Sequence, residues 1–253
     1  MAVKQALNSG VVTLRKLSNE QVEAFDREYV DARRLDRVCA KIDDDFPDGD
    51  FTLLDVGGGN GRFADQLLAR YPKSRATVWD NSELLLERNA KNDRKQLRLG
   101  SATCLESISE SFDLISLHWL LHHLVGDSYG ETRANQLSTL SSARQLLSDR
   151  GRISVYENDY LGWIPDPWPT WLIYRTTASR PLARISRALG ANTAGVGVGF
   201  NSFDGWRRII QNSGLEIVDH AEPDAWERKL PWHVRLVVGL KDIRVGHYWL
   251  RAK

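Results

Sequence analysis

Cysteine, methionine and any excess of charge are what this sequence has least of. Only two cysteines, Cys39 and Cys104, occur in 253 residues, far apart and in no metal-ligand or redox spacing. That argues against a disulfide framework and a metal centre, and it fits buried free thiols in a reducing cytosol. A formal net charge of +1 gives no bulk drive toward nucleic acid. No apolar run approaches the roughly 18 residues of a membrane span. The N-terminus lacks the apolar stretch of a secretory signal, so a cytoplasmic location is expected. No internal repeat occurs. What is present is ordinary for a globular chain, 42% hydrophobic and 26% charged, apart from nine tryptophans, a high number for this length.

From about Glu20 to Ile42, Val22, Phe25, Tyr29, Ala32, Leu35, Val38 and Ile42 recur every three or four positions, with arginines and Lys41 on the other side. The spacing predicts an amphipathic helix. An acidic turn from Asp43 to Asp50 follows. Strand, glycine turn, helix is the next reading: an apolar run ends in Asp55-Val56-Gly57-Gly58-Gly59-Asn60-Gly61, and residues 61–70 carry helical periodicity. Glycines let a ligand approach the backbone without an intervening Cβ, and the helix start offers free N–H groups.

Further strands are expected at Arg75–Asp80, residues 96–100, Phe112–Leu117 and Arg152–Glu157. Helices are expected after Asn81-Ser82, either of which suits an N-cap, and over 131–148. The alternation implies an α/β fold, doubly wound, with a mostly parallel seven-stranded sheet whose carboxyl-end rim binds ligand. Regularity is expected to stop at Asn158, resuming at Ser202, an N-cap leading into a helix from Phe203 to Ser213, with strands at Leu215–Val218 and Gly246–Arg251. The division expected is a helical cap over 1–50 and a main domain over 51–253 carrying a lid at about 158–200.

Two readings of the glycine loop compete. Gly59-Asn60-Gly61-Arg62-Phe63-Ala64 satisfies the G-x-G-x-x-A dinucleotide pattern, whereas starting from Asp55 the loop reads D-x-G-x-G-x-G. Asp80, nineteen residues after Gly61, suits either ligand, because a carboxylate there accepts hydrogen bonds from a ribose diol. The later segments break the tie. The Asp55 register, Gly100-Ser101-Ala102, the run Phe112-Asp113-Leu114-Ile115 through Leu121-His122-His123, and the turn Leu146–Ile153 resemble, in order, the motifs of class I S-adenosylmethionine-dependent methyltransferases. The resemblance is strong over about 52–160, moderate over 202–220 and weak at the ends.

That resemblance implies S-adenosyl-L-methionine as cofactor, leaving as S-adenosyl-L-homocysteine, with Asp55, Gly57, Gly58, Gly59, Gly61, Asp80, Asn81, Ser101 and Ala102 at its site. Ser101 departs from the family's usual acid beside the adenine. The triple glycine and His118-Trp119-Leu120-Leu121-His122-His123 look most like small-molecule O-methyltransferases of secondary metabolism, whose K-W-x-L-H-D pattern carries a general base. Aligned on Trp119, His122 takes the base position and His118 that of the cofactor-side lysine, while Glu157 orients the base. His123 is the alternative base. The residues before the glycine loop are too few for those enzymes' dimerisation domain. Tyr29, Arg33 and Arg34 are expected to close a helix over the cofactor and meet its carboxylate.

Between Pro167 and Phe203 there is no Asp or Glu, while Arg175, Arg180, Arg184 and Arg187 occur. With Trp163, Trp168, Trp171 and Tyr174, and with Trp119 at the rim, this segment is expected to receive a small hydrophobic or aromatic acceptor. A lid that touches a membrane surface is a further expectation, similar to the insertion of ubiquinone-pathway O-methyltransferases. Nucleic acid is not an expected partner. The alternatives are N- or C-methylation, a non-catalytic cofactor-binding protein and an NAD-dependent oxidoreductase.

Overall fold

The computed structural model describes residues 14–15, 31–184, 193–225 and 231–253. Tyr29, Arg187 and the helix expected before residue 31 lie outside these residues. Strands β1 (Thr52–Val56), β2 (Arg75–Asp80), β3 (Lys95–Leu99), β4 (Phe112–His118) and β5 (Leu147–Gly162) pair in parallel, in the spatial order β3-β2-β1-β4-β5. A two-residue strand, β6 (Asn201–Ser202), pairs with β5 off this path. Strands β7 (Leu215–Ala225) and β8 (Leu240–Ala252) complete it, with β8 antiparallel between β5 and β7. The sheet is therefore the expected seven-stranded, mostly parallel one, with β6 as a short addition.

Successive residues of a strand point to opposite faces, and the apolar sequence uses both. Leu53, Val78, Leu114, Tyr156 and Trp249 face helices α1 (Ala32–Asp45) and α2 (Arg62–Arg70), meeting Val38, Ile42, Phe63 and Leu67. A short α3 (Glu83–Leu86) follows β2. Leu54, Ile115, Val155 and Leu250 face the other way, toward Leu140 and Ala143 of α4 (Tyr129–Gln145). A further helix, α5 (Trp168–Ala178), lies in the lid, and α6 (Phe203–Asn212) adds Trp206 and Ile209 to this second face. The last helix is α7 (Trp232–Val237).

Four expectations are corrected. The first helix runs on to Asp45, through the first acids of the predicted turn. Arg34, on the helix side opposite the apolar stripe, is buried, with its guanidinium 5.2 Å from the Trp119 ring centroid and its carbonyl accepting the Tyr156 hydroxyl at 3.1 Å. Cys104 is exposed, whereas Cys39 is buried. Order does not stop at Asn158. β5 continues to Gly162 because β8 pairs with it from Ile153 to Gly162, and Tyr160, Ile173, Val198, Leu240 and Ile243 form a separate apolar cluster beneath the lid. Among the described residues no helix is long and apolar enough to cross a membrane.

Asp45 ties α1 to the sheet. Its carboxylate accepts from the Trp249 indole N–H at 2.7 Å and from Arg152 Nη2 at 2.7 Å and Nε at 3.1 Å. Asp45→Ala leaves a buried indole donor and a guanidinium unsatisfied, so the urea midpoint of unfolding falls, with a loss of about 1–3 kcal/mol. An unchanged midpoint would remove this tie from the account.

Candidate active site

The glycine loop after β1 takes a shape that side chains would obstruct. Gly57, Gly59 and Gly61 have φ of 72°, 52° and 71°, the left-handed region that favours glycine. A Cβ on Gly58 would collide with the Asp55 carboxylate, and one on Gly57 would lie 2.9 Å from Leu120 Cδ1. Asp80 fixes the loop from the end of β2. Its Oδ2 accepts from Gly59 N at 2.9 Å and its Oδ1 from Ser82 N at 2.8 Å. Asp55 is buried one strand away. Ser116 donates to its Oδ1 at 2.6 Å and its Oδ2 has no hydrogen-bond partner. Burial pushes its carboxyl up to about 6.

The rim at β3 is shaped by Trp79. Its indole N–H donates to Ser101 O at 3.1 Å, and a Cβ on Gly100 would overlap the ring. The Ser101 hydroxyl meets Thr103 Oγ1 at 2.9 Å and accepts Thr103 N at 3.3 Å, capping the short helix Ala102–Ser107, and Ala102 itself is buried. Ser82, not Asn81, caps α3, through Leu85 N at 3.3 Å, and Asn81 is exposed. Gly100→Ala forces overpacking against Trp79 and is expected to cost about 1–3 kcal/mol in urea unfolding.

Beyond β4 the two faces of the sheet carry different chemistry. His118 shares the α1 and α2 face with Ser154 and Tyr156. Its Nε2 lies 2.9 Å from Ser154 Oγ, which lies 3.0 Å from His247 Nε2, so one hydroxyl links two imidazoles across three strands. His118 Nδ1 is buried without a hydrogen-bond partner, and the ring packs edge-on against Phe63 at 4.6 Å. Burial holds His118 well below the usual imidazole range and His247 at about 3. Trp119 follows with a positive φ of 50°, stacked on Tyr156 at 5.2 Å.

On the opposite face, His122 and Glu157 meet. His122 Nδ1 lies 2.7 Å from Glu157 Oε2, and the His122 backbone N–H donates to Oε1 at 3.3 Å. Glu157 is completely buried and Asn158 N donates to its Oε2 at 3.3 Å. Burial drives both groups toward neutrality, lowering His122 and raising Glu157 to about 8 despite those backbone donors. The His122 ring lies 4.0 Å from that of His123 and 4.9 Å from that of Phe200. Burial also lowers His123, with His122 adding to the effect.

The structure thus brings Asp55, Gly57–Gly59, Gly61, Asp80, His118, Trp119, His122 and Glu157 to one rim, and it disperses the predicted acceptor aromatics. Tyr174 is buried, with its hydroxyl donating to Gly126 O at 3.2 Å. Trp163 and Trp168 face solvent, and Trp171 packs edge-on against Trp168 at 6.0 Å. Ser116, Ser154, Phe200 and His247 escaped the sequence reading. Ser116 and Ser154 share a strand face with His118 and Tyr156, two positions further along. Phe200 and His247 reach the site only through tertiary pairing, for which no local signal exists.

Strand order, crossovers and a glycine loop at the β1 carboxyl end define a Rossmann-like methyltransferase fold. Residues 54–153 match the family described as "Methyltransferase domain". The class I methyltransferase resemblance read from the motifs stands. A "Ubiquinone/menaquinone biosynthesis C-methyltransferase UbiE" of Paracoccus denitrificans (strain Pd 1222) is 31% identical over 131 residues, 49% of this chain and 47% of that protein. The chain spans about half the length of that relative. Among solved structures, CalO1, described as a methyltransferase in calicheamicin biosynthesis in its SAH-bound form, has TM-score 0.52 and 15% identity. The alignment covers 93% of this chain and 59% of that one. The [4+2]-cyclase SpnF has TM-score 0.55 and 15% identity, with 86% and 80% covered. At that identity the likeness is one of fold, and the fold alone does not choose a reaction.

The imidazole of His247 is favoured neutral in the folded state, so its contribution to stability is complete above about pH 6.5 and is lost as pH falls toward 3. His247→Asn, which can still bond Ser154, is expected to show a smaller fall in melting temperature than the parent between about pH 7 and about pH 5. Equal falls would show that His247 is not held neutral.

Proposed function

We propose that this protein transfers a methyl group from S-adenosylmethionine to a hydroxyl of a small hydrophobic acceptor, with His122 as general base and Glu157 as its orienting partner. The observation that carries this reading is the 2.7 Å contact between His122 Nδ1 and a completely buried Glu157 at the carboxyl-end rim of β4 and β5. The residues fit the cofactor. The loop backbone is left-handed at Gly57, Gly59 and Gly61, a tight turn that side chains would strain, and Asp80 at the end of β2 would accept from a ribose diol. Gly57 to Gly61, Asp80 and the Gly100–Ala102 rim would hold the nucleoside, with His118 toward the amino-acid end. When bound, the cofactor supplies an electrophilic methyl on a sulfonium.

The rest is done by the chain. Ionised Glu157 accepts the Nδ1 hydrogen of His122, leaving Nε2 with a free lone pair to take the acceptor's hydroxyl proton. Protonated Glu157 donates to Nδ1 instead, and Nε2 then carries the ring hydrogen and cannot act as a base. Because burial raises Glu157 to about 8, base competence grows as pH rises through that value. Phe200 and the paired histidine rings give the acceptor apolar and aromatic surfaces to lie against.

A second reading, methylation at carbon, is favoured by the UbiE relative. It keeps the same base, since deprotonating a ring hydroxyl activates its neighbouring carbon.

His122→Ala is expected to lower kcat by roughly 10²–10⁴-fold. Glu157→Gln, which cannot ionise, is expected to lower kcat and to erase the rise in rate near pH 8. Turnover of His122→Ala equal to the parent's at every pH would overturn the base assignment. Calorimetry adds a check independent of turnover: S-adenosylhomocysteine binds, NAD does not, and Asp80→Ala weakens the former by about tenfold or more. Preferential binding of NAD would overturn the cofactor reading.

A further inference from the structure

Two segments far apart in sequence meet in the fold, and each leaves large apolar side chains in solvent. Trp163 and Trp168 are 69% and 58% exposed, and Trp232 and Leu236 of α7 are 75% and 70% exposed. No residue of α7 is buried, so this helix gives the core nothing and presents its apolar side chains outward. The segments are joined directly. Trp163 donates its backbone N–H to Gly239 O at 2.8 Å and its indole N–H to Leu240 O at 2.7 Å. A Cβ on Gly239 would lie 2.7 Å from Ile164 Cδ1, and one on Gly162 would lie 3.3 Å from Pro169 Cγ, at the start of the lid helix. Ile164 and Val237 are exposed in the same region. Large apolar side chains left exposed on two segments that hydrogen bonds join are uncommon on a free monomer and mark a docking surface.

Charge selects the occupant. No Asp or Glu lies between Pro167 and Phe203, or between Pro231 and Leu240. Asp166, at the edge of the face, is engaged by Tyr160 at 2.6 Å, by Ser202 and by Arg208 at 2.9 Å. Arg175, Arg180, Arg184 and Lys241 are exposed on the same segments, and Arg175 lies 5.7 Å from the Trp171 ring centroid. Exposed indoles and aliphatic tips with basic groups on the same segments suit a layer that is apolar below and negatively charged at its surface.

We infer that the face formed by Trp163, Ile164, Trp168 and the α7 residues Trp232, Leu236 and Val237 docks on the surface of an anionic lipid bilayer. It stands apart from the rim chemistry, and binding can be tested without turnover. The experiment is flotation of the full chain with phosphatidylcholine vesicles, with and without phosphatidylglycerol. The protein is expected to float with the anionic vesicles, weakly with neutral ones, and less as salt rises. Trp232→Ser with Leu236→Ser, positions that bury nothing, is expected to cut vesicle affinity by about tenfold or more. It should leave near-ultraviolet circular dichroism and S-adenosylhomocysteine binding unchanged. Arg175→Gln with Lys241→Gln is expected to reduce the preference for anionic lipid severalfold. Absence of flotation with either vesicle, or flotation indifferent to the α7 substitutions, would overturn the proposal. So would self-association in sedimentation velocity that the same substitutions abolish, because the face would then join two copies of this chain.

Discussion

A carboxylate with no exposure to water is the constraint around which this rim is arranged. Glu157 sits where β5 lies between β4 and β8, paired with Gly246 on one side and one residue beyond the His118–Tyr156 pairing on the other. A buried ionisable group is tolerated only with hydrogen-bond partners or a held proton. Backbone N–H groups of His122 and Asn158 and the His122 ring supply the partners. The turn after β4, with Trp119 in a left-handed conformation, brings His122 to that place, and the extension of β5 along β8 closes the other side. The proposed base chemistry and the pairing of β5 with β4 and β8 share one residue.

Much of the architecture was legible because it rests on local periodicity. Short runs ending in or followed by Asp, Gly, His or Glu set the parallel strands, and α2 and α6 began within a residue of where the sequence placed them. The Ser128–Glu131 spacing also stood in view as an N-terminal signal. Ser128 accepts Glu131 N at 3.0 Å, so α4 begins two residues before the periodicity alone suggested. What periodicity could not supply was the length of β5. Asn158, Asp159 and Tyr160 look like the start of a polar loop, yet they are ordered by β8, which lies about 85 residues later in the chain.

The same division holds at the site. Asp55, the glycines, Asp80 and His122 stand at sequence spacings that a strand-turn-helix unit fixes locally, so they could be named from the chain alone. Ser154 and His247, which complete the His118 chain, belong to strands paired in opposite directions, and only the register brings them together. The lid tryptophans were read from composition, which is blind to direction. Their outward orientation turns a supposed acceptor lining into a surface, and leaves Phe200 and Trp119 as the aromatic neighbours of the rim.

The account stands most directly on the tautomer of one imidazole. Nitrogen-15 chemical shifts of His122, followed by NMR from about pH 6 to about pH 9, distinguish a hydrogen on Nδ1 from one on Nε2. The account predicts a neutral ring throughout, with its hydrogen moving from Nε2 to Nδ1 as Glu157 ionises near pH 8, and no such change in Glu157→Gln. A His122 ring that keeps one tautomer across this range, or that becomes doubly protonated near pH 6.5, would contradict it.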